Sequence, residues 1–259
     1  MILFLQATMQ GLALGAVYSL VAIGLVLIYK ATDVLSFAQP ALAVAGAGII
    51  SALAVDRGIS FWIALPLAIF ITGVIGLMIE RTFLRAMVGE PVFSVAILTI
   101  GIDILIRTVL DNWIGLNPRY MGDSFAQMGN FGSLNVGGVA IQYLELTALL
   151  AAIAVIAFLS IFFKFSKYGL AMRATSFDQE ASLAQGINVG RVIGLVWFIA
   201  AMLASLSGFF ITGGFNGLTQ ASFVTALRAL PAIVIGGLDS LVGAVVGSLI
   251  IGMTQGYIA

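Results

Sequence analysis

The chain contains no cysteine and no histidine. The first absence excludes disulfides and thiolate metal sites. The second excludes imidazole metal sites and histidine-based catalysis. Charge is scarce as well: 11 basic and 11 acidic residues make up only 8% of the 259 and cancel formally. A net charge of zero gives no electrostatic case for nucleic acid. No Gly-x-x-x-x-Gly-Lys-Ser/Thr loop occurs, so the chain lacks the usual ATP cradle. What is present is apolar: 61% of residues are hydrophobic and 30 are Gly. A soluble domain of this length cannot solvate such a surface, so the class is a polytopic α-helical membrane protein. The alternating strands and polar turns of a membrane β-barrel are missing. The N-terminus lacks a basic n-region and a small-residue cleavage site, so the first apolar segment is expected to stay as a span.

A span needs about 20 apolar residues at ~1.5 Å each to cross ~30 Å of hydrocarbon. Spans are predicted at 3–29, 35–55, 60–80, 91–111, 140–163, 190–213 and 239–257, with a shorter apolar piece at 223–237 as a re-entrant or broken half-helix. The whole of 1–259 reads as one transmembrane domain. The sequence stops at Ala259 inside an apolar run, which raises the expectation of a further helix beyond it.

Basic residues orient the spans. Loops after spans one, three and five hold Lys30, Arg81, Arg85, Lys164, Lys167, Arg173 and Arg191; loops after spans two and four hold Arg57 and Arg119. Seven against two places the first set in the cytosol and the N-terminus outside, in an inner or plasma membrane. The longest external loop is 112–139, with turns expected at Asn117-Pro118 and at Asn135-Val136-Gly137-Gly138, the second in a small hairpin. It reads more simply as a solvated connector than as a docking surface.

Small residues recur every fourth position at Gly11, Gly15 and Ser19, at Ala200, Ala204, Gly208 and Thr212, and at Gly236, Ser240, Ala244, Ser248, Gly252 and Gly256. Such stripes let helix backbones approach where lipid offers no hydrophobic drive. Close packing is the simpler reading; lining a path is the other. Two polar stretches lie beside helix starts. In Asp33 to Pro40, Ser36 or Asp33 is expected to cap a helix whose first turn holds Pro40. The sharper reading is a broken helix with Gln39 facing a cavity. Gly236 to Gly243, with Asp239 and Ser240, resembles that device as a weak internal repeat. Asp103 and Arg107 pair four apart, read as mutual neutralisation. With no His and few membrane carboxylates there is no visible proton relay, which disfavours an ion-coupled secondary transporter and an intramembrane enzyme.

The long polar interruption is 164–191, with 6 of the 22 charged residues. Ser176 to Gln179 fits a capping box, Asp178 and Glu180 suit a helix N-terminus, and Gly186 suits the left-handed position past a C-terminus. These signals predict one short helix of two to three turns, marginal alone and therefore resting on something.

Glu180-Ala181-Ser182-x-x-x-Gly186 resembles the EAA-x-x-x-G signature of ABC importer permeases. Arg173-Ala174, Gly186-Ile187-Asn188, Gly11-Leu12 through Tyr18-Ser19-Leu20, Gly24-Leu25 through Ile28-Tyr29, and Gly236-Gly237 with Gly243 and Gly247 resemble the LivH branch, which imports branched-chain amino acids. The likeness runs along the whole chain. It departs where the family carries Asn-Phe-Ala-His-Gly and this chain has Ser36-Phe37-Ala38-Gln39-Pro40, and at Ser182.

The resemblance implies an all-α polytopic permease with about seven or eight transmembrane helices, broken or re-entrant segments and a short cytosolic coupling helix. It makes Arg173, Asp178, Glu180, Ala181, Ser182 and Gly186 the coupling residues. Candidates for the substrate path are Ser36, Phe37, Gln39, Thr99, Gly237 and Asp239. The implied partners are a second homologous permease, two cytosolic ATP-binding subunits carrying ATP and magnesium, an external substrate-binding protein and membrane lipid. The chain itself is expected to hold no cofactor and to translocate rather than catalyse. Branched-chain amino acids lead as substrate, with urea or short amides as the alternative. An aquaporin-like channel is the weaker rival, because neither half-helix candidate carries Asn-Pro-Ala.

Overall fold

The computed structural model describes residues 2–87, 90–114, 132–136, 139–213 and 217–258. Seven helices among them are long and apolar enough to cross a membrane. They are built on α1 (Ile2–Thr32), α2 (Gln39–Ser51, a span only with its extension to Asp56), α3 (Phe61–Ile79, extended to Met87), α4 (Val92–Ile114), α5 (Tyr143–Phe165), α8 (Val189–Thr212) and α11 (Leu241–Ile258). Between α5 and α8 lie α6 (Lys167–Phe177) and α7 (Gln179–Ala184). Between α8 and α11 lie α9 (Gln220–Leu227) and α10 (Ala229–Gly236), so the predicted half-helix is two short helices broken at Arg228. π-helical turns at Ala52–Asp56 and Glu80–Leu84 extend α2 and α3. Two predicted starts shift: residues 35–38 are not helical, and 140–142 belong to a strand.

The bundle has an inside and a rim. In α1 and α2, 89% of the most apolar stretch is buried, against 17% in α5. α1 runs antiparallel to α8: Gly24 faces Ala200, and Ser207 Oγ donates to the Val17 carbonyl at 2.9 Å. On its other side α1 meets α11 backbone to backbone. A Cβ on Gly11 would stand 2.7 Å from Met253 Cα, and one on Gly15 would stand 2.8 Å from Leu249 Cα. A larger residue would force these helices apart and forfeit the dispersion contacts that hold them in lipid. Tyr18 Oη reinforces the seam by donating to Gln255 Oε1 at 2.7 Å.

The third small-residue stripe is not continuous. The chain leaves helix after Gly236, so only Ala244, Ser248, Gly252 and Gly256 share the buried face of α11. Backbone from α1 covers Gly252 and Gly256, and the packing reading holds there.

Lys30, Arg81, Arg85 and Arg191 collect at one end of the bundle. Arg85 spans the gap between α3 and α8, bonding Glu80 and donating to the Gly190 carbonyl at 2.9 Å. Lys30 Nζ donates to the Asp239 carbonyl at 3.2 Å. The expected hairpin is present as β1 (Ser133–Val136) antiparallel to β2 (Val139–Gln142), with Ser133 opposite Gln142 and Val136 opposite Val139. Asn135 and Val136, expected in the turn, belong to β1, and the turns expected at Gly137-Gly138 and Asn117-Pro118 lie outside the described residues.

Candidate functional site

The polar segment folds as two helices rather than one. Ser166 starts α6 by accepting from the Tyr168 N–H at 3.2 Å. α6 then runs to Phe177, so Ser176 has helical backbone and cannot act as an N-cap, which requires a non-helical residue. Its hydroxyl donates instead to the Arg173 carbonyl at 2.9 Å. The cap falls two residues later, on Asp178, whose φ of −158° is extended and whose Oδ1 accepts from the Ala181 N–H at 2.9 Å. α7 is therefore only six residues long. Gly186 stops it at a φ of +82°, as expected, with its N–H on the Leu183 carbonyl. A side chain there would be strained in that left-handed conformation.

So short a helix needs support, and Gln179 provides it. Its Nε2 donates to the carbonyl of Ala31, in the last turn of α1, at 3.0 Å. Ser182 is buried beneath α7, whereas Arg173, Glu180 and Ala181 are exposed. Beside them stand two apolar side chains the motif reading passed over: Phe177, 95% exposed, and Leu183, 58% exposed. The sequence signal for Phe177 is an aromatic embedded in polar residues, Ser176-Phe177-Asp178.

The linker from α1 to α2 is the second element. Asp33 sits at a φ of +55°, a region Asp tolerates better than most residues, with its N–H on the Tyr29 carbonyl. The chain then runs non-helically through Ser36 and turns into α2 at Gln39. The N-cap is Ala38, with no side-chain cap, so neither Ser36 nor Asp33 performs that task. Pro40 does occupy the first turn. The Phe37 N–H donates to Thr99 Oγ1 at 3.1 Å. Thr99 lies seven residues into α4, about 10 Å along its axis. This linker is thus irregular backbone at membrane depth, tolerated only inside protein or beside a cavity.

Ser36, Gln39 and Thr99 are each fully buried. Ser36 Oγ and both polar atoms of the Gln39 amide have no hydrogen-bond partner. Each such group costs about 1–3 kcal/mol of desolvation. The arrangement holds one hydroxyl, two amide donors and a carbonyl oxygen out of water. Ser205 Oγ on α8, also buried and unpartnered, packs against Gly46 of α2 and was not anticipated. A cavity of about 140 Å³ touches Val34 of the linker, Glu80 and Gln179 together.

The other path candidates stand elsewhere. Asp239 is exposed, and Gly237 lies in the turn before α11. Leu35 and Leu238 both pack against one apolar cluster, but the Asp239 carboxylate is exposed and not in the buried polar group. Asp103 and Arg107 form the expected ion pair, and the Arg107 guanidinium also stacks on Phe223, 3.9 Å from the ring centre. That ties α4 to α9.

A family model described as "Branched-chain amino acid transport system / permease component" matches residues 7–259. The LivH protein of Salmonella typhimurium, named a high-affinity branched-chain amino acid transport system permease, is 30% identical across 97% of this chain and 85% of its own length. LivH of Escherichia coli K12 is likewise 30% identical, over the same shares. BraD of Pseudomonas aeruginosa, a permease of the same description, is 26% identical across 98% of this chain and 86% of its own.

Proposed function

The chain belongs to the family of permease components of branched-chain amino acid transport systems, and from that premise we propose that it carries branched-chain amino acids across the membrane under the control of ATP-binding partners. It is the multi-pass permease subunit of an ABC importer. The ATP and magnesium belong to cytosolic subunits that dock on α7. A second permease completes the pathway, and an external binding protein delivers the substrate. The arginine-rich end faces the cytosol and the N-terminus lies outside.

One contact carries the reading: the Gln179 bond to Ala31. On one side of it are the end of α6 and α7, with Phe177 and Leu183 as their apolar anchors beside Glu180. On the other is the linker that holds Ser36 and Gln39. When the partners close on ATP, α7 is displaced, and Ala31 lies only two residues from Asp33. The movement reaches the polar linker without crossing the bundle. Two-state rearrangement of such packed elements amplifies small shifts. Ser36 and Gln39 meet the ammonium and carboxylate of a zwitterion, and Thr99 holds their segment in place through the Phe37 N–H. The aliphatic walls of α1, α2 and α8 accept its side chain.

The test replaces Phe177 by Asp in the assembled transporter. Loss of one buried aromatic anchor costs about 2 kcal/mol or more, roughly thirty-fold in affinity. Co-purification of the ATP-binding subunit and uptake of labelled leucine are expected to fall together, while the chain stays in the membrane. Unchanged co-purification refutes docking at α7. A second substrate reading rests on Gln39, whose buried amide complements urea or a short amide. Competition decides it: excess unlabelled urea leaves leucine uptake intact if the first reading is right.

A further inference from the structure

On the side of the bundle away from α11, a cleft of about 1060 Å³ opens between α3, α5 and α8. Its walls are aromatic and aliphatic, with Phe158, Phe162, Phe198, Met202 and Leu206 among them. Its polarity lies at one end, where Arg81, Arg85, Arg191 and Tyr168 surround the mouth. Glu80 answers Arg85. Arg81 and Arg191 are exposed and form no ion pair among the described residues, so the mouth is net positive. The start of α8 adds the positive end of a helix dipole to the same place.

The dimensions narrow the occupant. Along α8 the cleft runs from Gly190 to Leu206, sixteen residue steps, or about 24 Å at 1.5 Å per step. One leaflet with its headgroup layer is half of roughly 40–45 Å. The cleft is one lipid long, apolar where acyl chains lie and cationic where a phosphate lies. A partner helix laid in it would have to bring an acidic end to the same arginines. We propose that this cleft is a binding site for one anionic phospholipid. Its phosphate sits on Arg81 and Arg191 beside Tyr168, and its chains lie against Phe158, Phe198 and Met202. The site is separate from the linker that holds Ser36 and Gln39, so it acts on stability or gating rather than on cargo selection.

The full chain in mild detergent, examined by native mass spectrometry with added phosphatidylglycerol or phosphatidylcholine, tests this. Wild type is expected to retain phosphatidylglycerol roughly tenfold better than the zwitterionic lipid. The double variant Arg81→Gln/Arg191→Gln loses that preference while still folding, since both side chains are exposed. Met202→Trp, which fills the apolar wall, lowers retention of either lipid. Inorganic phosphate, offering the charge without the chains, does not displace the bound lipid. Equal retention of the two lipids by wild type overturns the proposal, as does displacement by phosphate alone. The absence of cysteine permits one further check: with Phe198→Cys, a short bifunctional crosslinker in native membranes gives no protein adduct if lipid fills the cleft. A defined adduct with another permease chain overturns it in favour of a protein interface.

Discussion

Two linkers in this molecule use the same residue types to opposite ends. Asp33–Ala38 leads into α2, and Gly237–Ser240 leads into α11; each supplies an Asp and a Ser just before an apolar helix. In the second, Ser240 does what its position suggests, its Oγ accepting from the Gly243 N–H at 2.9 Å, while Asp239 remains at the surface. In the first, Ser36 is buried and caps nothing, and Gln39 is buried with both polar atoms unpartnered. A lone Ser before a helix therefore does not reveal its task. Depth decides it: at the surface a cap is worth about 1 kcal/mol, whereas at depth an unpaired polar group is a cost that persists where function requires it.

The contrast breaks most readily at Gln39. Gln39→Leu keeps the approximate volume and removes two unpartnered groups, so thermal stability in detergent should hold or rise. Uptake should fall by roughly tenfold or more, the equivalent of about 1.4 kcal/mol of lost substrate interaction. Lower stability with normal uptake would make Gln39 a structural residue instead. Thr99→Val comes next. It strands the part-buried Phe37 N–H, at about 1–3 kcal/mol, so the melting temperature and uptake are both expected to drop, uptake by several-fold. A melting temperature unchanged from wild type would mean that the Thr99 contact does not hold the linker. Smallest is Ser240→Ala, expected to cost about 1 kcal/mol and to leave uptake per folded transporter unchanged. A transport defect there without loss of stability would move the substrate path towards α11.

Much of the architecture was legible before any coordinates. Twenty-residue apolar runs have few alternatives to spanning helices, and all seven predicted spans correspond to helices, with their ends adjusted. Gly186 was legible because a left-handed stop after a short helix favours glycine, and the hairpin because Asn135 to Gly138 carries turn residues between apolar strands. The failures share a cause. The local pattern permits a cap at Ser176, but α6 packs on α5 and α8 and keeps Ser176 helical. At Ser36 local rules leave a cap and a broken helix equally open, and only the Phe37 contact with Thr99 separates them. The last small-residue stripe looked continuous because a fourfold period ignores a helix break.

By itself the sequence determined the class, the number of spans, the gathering of basic residues in alternate loops and the motif that marks α7. These follow from composition, run length and local backbone preference, which act over a few residues. Tertiary structure alone decided which polar groups are buried without partners, that Gln179 ties α7 to the end of α1, that Phe177 stands clear of the bundle, and that α3, α5 and α8 leave a cleft with arginines at its mouth. Burial and long-range contact are properties of how helices pack. In a chain this uniformly apolar, hydrophobicity hardly distinguishes a face that meets lipid from one that meets protein, so only close packing of small side chains separates them.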